Sequence, residues 1–169
     1  MPGPSIFGPR ERGPVTLVEY DPAWPARFAA ERERLLRALG AVALKIEHIG
    51  STAVAGLAAK PIVDILVQVH ACDYDGAVAS IESAGYVLRV LEPGHRLLRT
   101  PQCDVHVHLW DDPADVRRHL AFRDRLRRDP HDRARYEARK RELAPRNWAS
   151  RDEYADAKSA VIAEILARS

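Results

Sequence analysis

The spacing of apolar and polar residues predicts one helix and several strands in the first half of the chain. The helix is expected over residues 21–40, where apolar residues recur every three or four positions between an Asp-Pro start and a glycine. Strands are expected at 15–20, 43–49 and 61–69. The third of these is almost continuously apolar, which indicates a strand buried on both faces.

The second half of the chain predicts a short helix, more strands and then helices only. The helix is expected over 73–84, and strands are expected at 86–91, 96–100 and 102–110. Three C-terminal helices follow, because three helix-start signals recur after the last strand. These signals are Asp112-Pro113, Asp129-Pro130 and the pair Ser150 and Glu153. The whole pattern predicts an α/β (α+β) fold with one mixed sheet and a C-terminal three-helix segment.

The first fourteen residues differ in composition from the rest of the chain. Residues 1–14 are rich in proline and glycine and have no apolar segment typical of a signal peptide. We therefore expect a flexible N-terminal arm at 1–14 and a single domain at 15–169. No apolar run approaches the roughly twenty residues that span a bilayer, so we expect no membrane insertion and a cytoplasmic location.

The charges of the whole chain nearly cancel, but basic residues are concentrated in one segment. The net charge is only +2, which is too small to indicate a nucleic-acid partner. Residues 117–141 nevertheless carry eleven Lys and Arg against four acids. This excess fits either a solvated helix face or an arginine rim around phosphates. The two cysteines, Cys72 and Cys103, have no metal-binding spacing and predict neither a zinc site nor a disulfide framework.

The segment with the clearest chemistry lies between the two central strands. Gly50-Ser51 ends the first strand, Lys60 lies in the connecting loop, and Asp64 lies within the second strand. Backbone N–H groups at a glycine turn, a hydroxyl, an ammonium and a carboxylate are suited to hold a phosphate and its metal. Asp64 has only apolar neighbours, so its charge needs a cation or hydrogen-bond donors nearby.

A later strand offers a second set of polar side chains. Asp104, His106 and His108 alternate with valines and are expected to share one face of the strand. The carboxylate suits a metal, and the imidazoles suit either a general base or ligands of a transition metal. The alternative is a polar outer face on an edge strand without a chemical role.

Two resemblances connect these segments. Ile49-Gly50-Ser51, twelve residues and then Asp64 resemble the signature of the nucleotidyltransferase superfamily, although Leu66 stands at its second carboxylate. Over nearly the whole chain the sequence resembles the GrpB family of nucleotidyltransferase-like proteins. The segments that carry this resemblance are residues 18–25 (VEYDPAWP), 48–54 (HIGSTAV), 56–66 (GLAAKPIVDIL), 106–108 (HVH), 118–124 (RHLAFRD) and 157–158 (AK).

The resemblance implies a twisted mixed sheet flanked by helices and a transferase that uses Mg²⁺ or Mn²⁺. The co-substrate would be an NTP, and the nucleoside monophosphate would move to an unidentified small-molecule acceptor. Asp64 and Asp104 would hold the metal, and His106 or His108 would activate the acceptor. The expected phosphate-binding residues are Gly50, Ser51 and Lys60, with Arg96, Arg99, Arg118 and Arg123 as further clamps.

Two alternatives remain at this stage. Because Leu66 removes one carboxylate, the fold could serve as a nucleotide-binding or partner-binding module without catalysis. Because imidazoles prefer zinc, iron or nickel over Mg²⁺, the His106 and His108 pair could instead belong to a transition-metal enzyme.

Overall fold

The computed structural model of the protein describes residues 5–9 and 11–168. Within this part of the chain six strands form one sheet, with helices on both of its faces. The strands are β1 (Ser5–Ile6), β2 (Lys45–Ile49), β3 (Val63–Gln68), β4 (Val87–Glu92), β5 (His95–Arg99) and β6 (Val105–Trp110). The helices are α1 (Trp24–Leu39), α2 (Tyr74–Ser83), α3 (Pro113–Arg128), α4 (Pro130–Leu143), α5 (Arg151–Asp156) and α6 (Ser159–Leu166).

The sheet is mixed, as the sequence predicted. Its strand order is β1-β4-β5-β6-β3-β2. β3 and β6 run parallel, and the other neighbouring strands are antiparallel. The expected burial of β3 on both faces is confirmed, because Ile65, Leu66 and Val67 are fully inaccessible to solvent.

The two faces of the sheet pack against different helices. Ile65 and Val67 belong to the main core, which includes apolar residues of α1 and α2. Leu66 points to the other face, where it packs with Ile49 and with Val116 of α3. Since side chains alternate along a strand, Asp64 lies on the α3 face together with Leu66. This face carries the polar residues of the candidate site.

The predicted helix starts of the C-terminal segment are confirmed. Asp112, Asp129 and Ser150 each accept a hydrogen bond from a backbone N–H in the first turn of the helix that follows. The last predicted helix is divided, so α5 and α6 replace it. The division has a packing reason, because Tyr154 of α5 and Ile165 of α6 are buried in two separate apolar clusters.

Two features at the N-terminus differ from the expectations. Residues 15–20 form no strand; Val18 makes one isolated β-bridge, with Ala59. The segment expected to be a flexible arm makes contacts with the domain, since Ser5–Ile6 pairs with β4 and Gly13 bridges to Trp148. The rest of the expected arm, residues 1–4 and 10, lies outside the described residues.

Both cysteines are free thiols. In the part of the chain that the structure describes, no helix combines the length and the apolar character needed to cross a membrane.

Candidate functional site

The site is centred where β3 and β6 run side by side. Asp64 pairs in register with His106, and His108 lies two residues further along β6 on the same face. His106 Nδ1 lies 3.5 Å and His108 Nε2 3.6 Å from the same oxygen, Asp64 Oδ1. One potential ligand atom from each residue lies within 4.8 Å of the other two, so the three side chains converge on one point.

Gly50 allows the turn after β2 to close against Asp64. Its φ is 71°, a left-handed conformation that favours glycine. A Cβ atom at this position would overlap Oδ2 and approach the carboxyl carbon of Asp64. Glycine is therefore required at residue 50 both for the backbone conformation and for the close approach of the carboxylate.

A chain of hydrogen bonds orients the ring of His108. His108 Nδ1 lies 3.0 Å from His95 Nε2, and His95 Nδ1 lies 2.5 Å from Glu92 Oε1. An ionised carboxylate only accepts, so His95 Nδ1 carries the proton and the Nε2 of a neutral His95 must accept from His108. Burial lowers the pKa of His95 to about 3, which keeps it neutral. This contact fixes the orientation of the His108 ring, so that its Nε2 faces Asp64.

The electrostatics of Asp64 favour its charged form. Burial alone would raise the pKa of Asp64, but hydrogen bonding and charge from His106 and His108 outweigh burial and hold this pKa well below its usual range. One carboxylate oxygen and two imidazole nitrogens close together form a group of atoms that could hold a divalent cation. With two nitrogens and one carboxylate, the donors fit a transition ion better than Mg²⁺, which prefers oxygen ligands.

Next to Asp64 is a basic cavity of about 160 Å³. Lys60, Lys140 and Lys158 all line it, together with Ser51 and Asp64. Such a concentration of ammonium groups around a hydroxyl and a glycine turn is suited to bind an anion of several charges.

Lys140 is the most buried of the three lysines, with 2% of its surface exposed. Its Nζ donates to Ser51 Oγ at 3.0 Å and also to the carbonyl oxygen of Ala58. Burial lowers the pKa of Lys140 to about 7 and that of Lys158 to about 8. An anion bound in the cavity would favour the charged form of both lysines and would raise their pKa values again.

The structure brings six of the predicted residues together but leaves out Asp104, the second expected metal ligand. Gly50, Ser51, Lys60, Asp64, His106 and His108 lie around the two features just described. Asp104 does not join the metal-binding group; its oxygens accept from Thr100 Oγ1 at 2.6 Å and from Arg27 Nη2 at 2.9 Å. The alternation of side chains between the two faces of the sheet begins only at Val105, the first residue of β6. Before it, Cys103 has a left-handed φ of 62°, which interrupts the extended backbone.

The four expected arginine clamps have separate roles. Arg123 donates to Glu47 and to the carbonyl of His48, so it fastens α3 to β2. Arg96 lies on the α2 face of the sheet, with its guanidinium 4.4 Å from the ring centre of Tyr74. Arg118 is exposed on α3. Only Arg99 is near the site, because it pairs in register with His106.

Sequence reasoning missed Lys140, Lys158 and His95 as site residues. Lys140 had a usable signal, since it is one turn from Tyr136 and three residues from Leu143, both buried on the same face of α4. A lysine in an apolar helix stripe needs a local partner. Lys158 was noted only as part of a family motif, and the contact of His95 with His108 depends on sheet register.

The mixed sheet with helices on both faces has a nucleotidyltransferase-like fold. The family model described as GrpB protein matches residues 14–168, and the chain belongs to this family. A UPF0157 protein of Streptomyces coelicolor is 48% identical over 96% of this chain and 88% of its own length. A UPF0157 protein of Halalkalibacterium halodurans is 43% identical over 91% of this chain and 82% of its own length.

Solved structures agree with this assignment. The crystal structure of the conserved protein GrpB from Enterococcus faecalis has a TM-score of 0.77 and 36% identity, covering 90% of this chain and 98% of that chain. A chain of the GLD-2/RNP-8 complex has a TM-score of 0.51 at 13% identity, covering 86% of this chain and 58% of its own. The second similarity shows the fold alone.

Proposed function

We propose that the protein is a nucleotidyltransferase that depends on one divalent ion and moves a nucleoside monophosphate from an NTP to a small acceptor. The observation that carries this proposal is the convergence of Asp64, His106 and His108 beside a cavity with three lysines. A cation site and a polyanion site in direct contact suit a metal-bound triphosphate. The nucleotidyltransferase-like fold supports the same assignment.

The basic cavity accounts for the phosphates. Lys140 Nζ and Ser51 Oγ are already within hydrogen-bond distance of each other, so both can direct donors at the same phosphate oxygens. Lys60 and Lys158 line the same space and add positive charge. The lysines would therefore stabilise the negative charge that accumulates on pyrophosphate as it leaves.

Asp64, His106 and His108 would hold the ion. When bound, a divalent ion supplies Lewis-acid polarisation of the phosphate and offsets its charge. The nitrogen-rich set favours Mn²⁺ or another transition ion over Mg²⁺. A transition ion at this site would combine the nucleotidyltransferase hypothesis with the transition-metal hypothesis. His106 and His108 would then serve the transfer reaction as metal ligands rather than as general bases.

The proposed transfer forms one bond and breaks another. An acceptor oxygen or nitrogen forms a bond to the α-phosphorus of the NTP, and the bond from that phosphorus to the bridging oxygen of the β-phosphate breaks. Pyrophosphate leaves with the bonding electrons, and the acceptor proton goes to water. Within this scheme the chain positions the phosphates through Ser51 and Lys140.

A second candidate is a nucleotide-binding module without turnover. The observation that favours it is Leu66, which is fully buried at the position of a second carboxylate and packs with Ile49 and Val116. With Asp104 bonded elsewhere, a second ion would lack ligands. Binding would then survive while transfer would not.

The experiment that tests the proposal measures binding and transfer separately. Calorimetry with each NTP in the presence of Mn²⁺ or Mg²⁺ should show ion-dependent binding, and mass spectrometry of a metabolite extract should show a nucleotidylated product. Asp64→Asn removes charge without opening a cavity and should abolish the ion dependence. Asp75→Asn, at an exposed residue of α2, is the matched control.

The outcomes separate the two candidates. Ion-dependent binding without product in any extract would favour the binding module. An Asp64→Asn variant with unchanged affinity for the metal-bound NTP would remove the basis of both.

A further inference from the structure

A second cavity, of about 110 Å³, lies next to the candidate site. Lys60 and His106 line this cavity as well, and Lys60 also lines the basic one, so the two cavities meet at this lysine. The remaining wall comes from the N-terminal segment, from β4 and β5, and from the start of α5. Much of it is apolar, with contributions from Ile6, Ile62, Val90 and Leu97.

Two arginines in this cavity hold one carboxylate between them. Arg99 Nη1 lies 2.9 Å from Glu11 Oε1, and Arg151 Nε lies 3.3 Å from Glu11 Oε2. Each guanidinium therefore takes a different oxygen of the same group. The arginine side chains are 17% and 28% exposed, whereas the Glu11 side chain is 45% exposed. The two guanidinium groups are therefore more buried than the Glu11 carboxylate that they bind.

The two arginines lie in regular secondary structure, whereas Glu11 does not. Arg99 lies in β5, directly opposite His106 in register, and Arg151 is the first residue of α5. Glu11 lies in a segment with neither strand nor helix conformation. The arginines are thus fixed by the sheet and by a helix, while their anion comes from an irregular part of the chain.

A further observation concerns His106. Its Nδ1 faces Asp64, but its Nε2 is buried and has no hydrogen-bond partner among the described residues. A buried imidazole nitrogen without a partner is costly unless another group satisfies it. Since His106 lines the same cavity, a small molecule held by the two arginines would lie close to this residue.

We propose that this cavity is the acceptor site, that it binds small carboxylic acids through Arg99 and Arg151, and that Glu11 occupies the carboxylate position in their absence. The acceptor role rests on the function proposed above, while the carboxylate site stands on its own contacts. A ligand with its carboxylate at the arginines and an apolar body along Ile62 and Leu97 would extend towards His106 and Lys60, where the phosphates begin.

The test measures binding of glutarate without nucleotide or metal. Glutarate contains the two methylenes and the carboxylate of a glutamate side chain, together with one more methylene and a second carboxylate. A tethered carboxylate competes at an effective concentration of about millimolar or more. Glu11→Gln should therefore bind glutarate at least about tenfold more tightly than the wild type. Glu19→Gln is the matched control, because Glu19 pairs with Arg141 outside this cavity.

Variants of the two arginines test whether the gain in glutarate affinity depends on them. Arg99→Gln in the Glu11→Gln background should abolish the gain, and Arg151→Lys should reduce it because lysine keeps the charge but loses the planar geometry. Thermal melting checks that each variant is folded. Glutaramide, which lacks the charge, should not bind.

The proposal is overturned if Glu11→Gln binds glutarate no more tightly than the wild type, or if the gain survives Arg99→Gln. Equal binding of inorganic phosphate would identify a general anion site and overturn the carboxylate assignment. Loss of NTP binding in the separate nucleotide experiment would remove the acceptor role but leave the glutarate result unchanged. The two failures are therefore distinguishable.

Discussion

His108 Nδ1 and His95 Nε2 lie 3.0 Å apart, and this contact orients the nitrogen of His108 that faces Asp64. Glu92 and His95 would act on the proposed ion site through His108, because their hydrogen bonds lead to His108 and not to Asp64. They are positioning residues, and their effect should appear in metal affinity.

His95→Phe should weaken binding of Zn²⁺ or Mn²⁺ by about 10- to 100-fold, the usual effect of losing a partner that orients a metal ligand. Phenylalanine keeps a ring next to Trp110, whose ring centre lies 4.1 Å from that of His95, but it cannot accept from His108. Calorimetry measures the change. Glu92→Gln keeps an acceptor for His95 and should have a smaller effect; equal losses would contradict the proposed direction of the hydrogen bonds.

Gly50→Ala should lower metal affinity and stability together. The new Cβ would overlap the Asp64 carboxylate, and the left-handed φ of 71° adds backbone strain. Gly56→Ala is the matched control, because Gly56 also has a positive φ, of 77°, but open space around the Cβ position. Metal titration and thermal melting should show a stability loss in both variants and an affinity loss only at Gly50. An affinity loss of similar size in both would contradict this explanation.

The affinity for an NTP should fall as the pH rises from about 7 to 9. Burial lowers the pKa of Lys140 to about 7 in the free protein, and a bound phosphate would raise it again. The complex then holds more protons than the free protein in this range, so binding takes up protons and weakens with increasing pH. Calorimetry in buffers of different ionisation enthalpy measures the uptake.

Lys140→Met should remove much of this pH dependence together with about one order of magnitude or more of affinity, as expected for a charge-assisted hydrogen bond. Lys45→Met, at an exposed lysine of β2, is the control. Unchanged pH dependence in Lys140→Met would assign the effect to another group.

Trp24→Ala should lower the free energy of unfolding by about 3–5 kcal/mol, the usual cost of removing a buried aromatic ring. Trp24 is 6% exposed and belongs to the main core between α1 and the sheet. Val42→Ala, at a residue that is 37% exposed, should change the free energy by about 0.5 kcal/mol or less. Denaturant titration measures both, and equal effects would contradict the assigned burial.

Local sequence patterns were sufficient for the central part of the fold. The apolar run around Asp64 has the composition of a strand buried on both faces, and the Asp-Pro pairs cap helices through short-range contacts, so both could be predicted without knowing the partners. The division of the last helix could not be predicted in this way. It depends on which apolar clusters Tyr154 and Ile165 reach, and these are tertiary contacts.

The same distinction applies to the candidate site. The spacing of Gly50, Ser51 and Asp64 is local, and the alternation of His106 and His108 is correct within β6. Asp104 was assigned by extending that alternation past the strand, where the left-handed backbone at Cys103 ends it. Lys140 reaches Ser51 across 89 positions in sequence, a distance over which no periodic pattern carries information.

This long-range contact also determines when the proposed phosphate site can form during folding. Ser51 follows β2, whereas Lys140 belongs to a helix that is synthesised long after it. A chain that has formed its sheet but has not yet docked α4 therefore lacks the complete cavity. A triphosphate that binds only the finished cavity would draw partly assembled molecules towards the native state by mass action, and retention on a triphosphate column would separate fully docked molecules from partly folded ones.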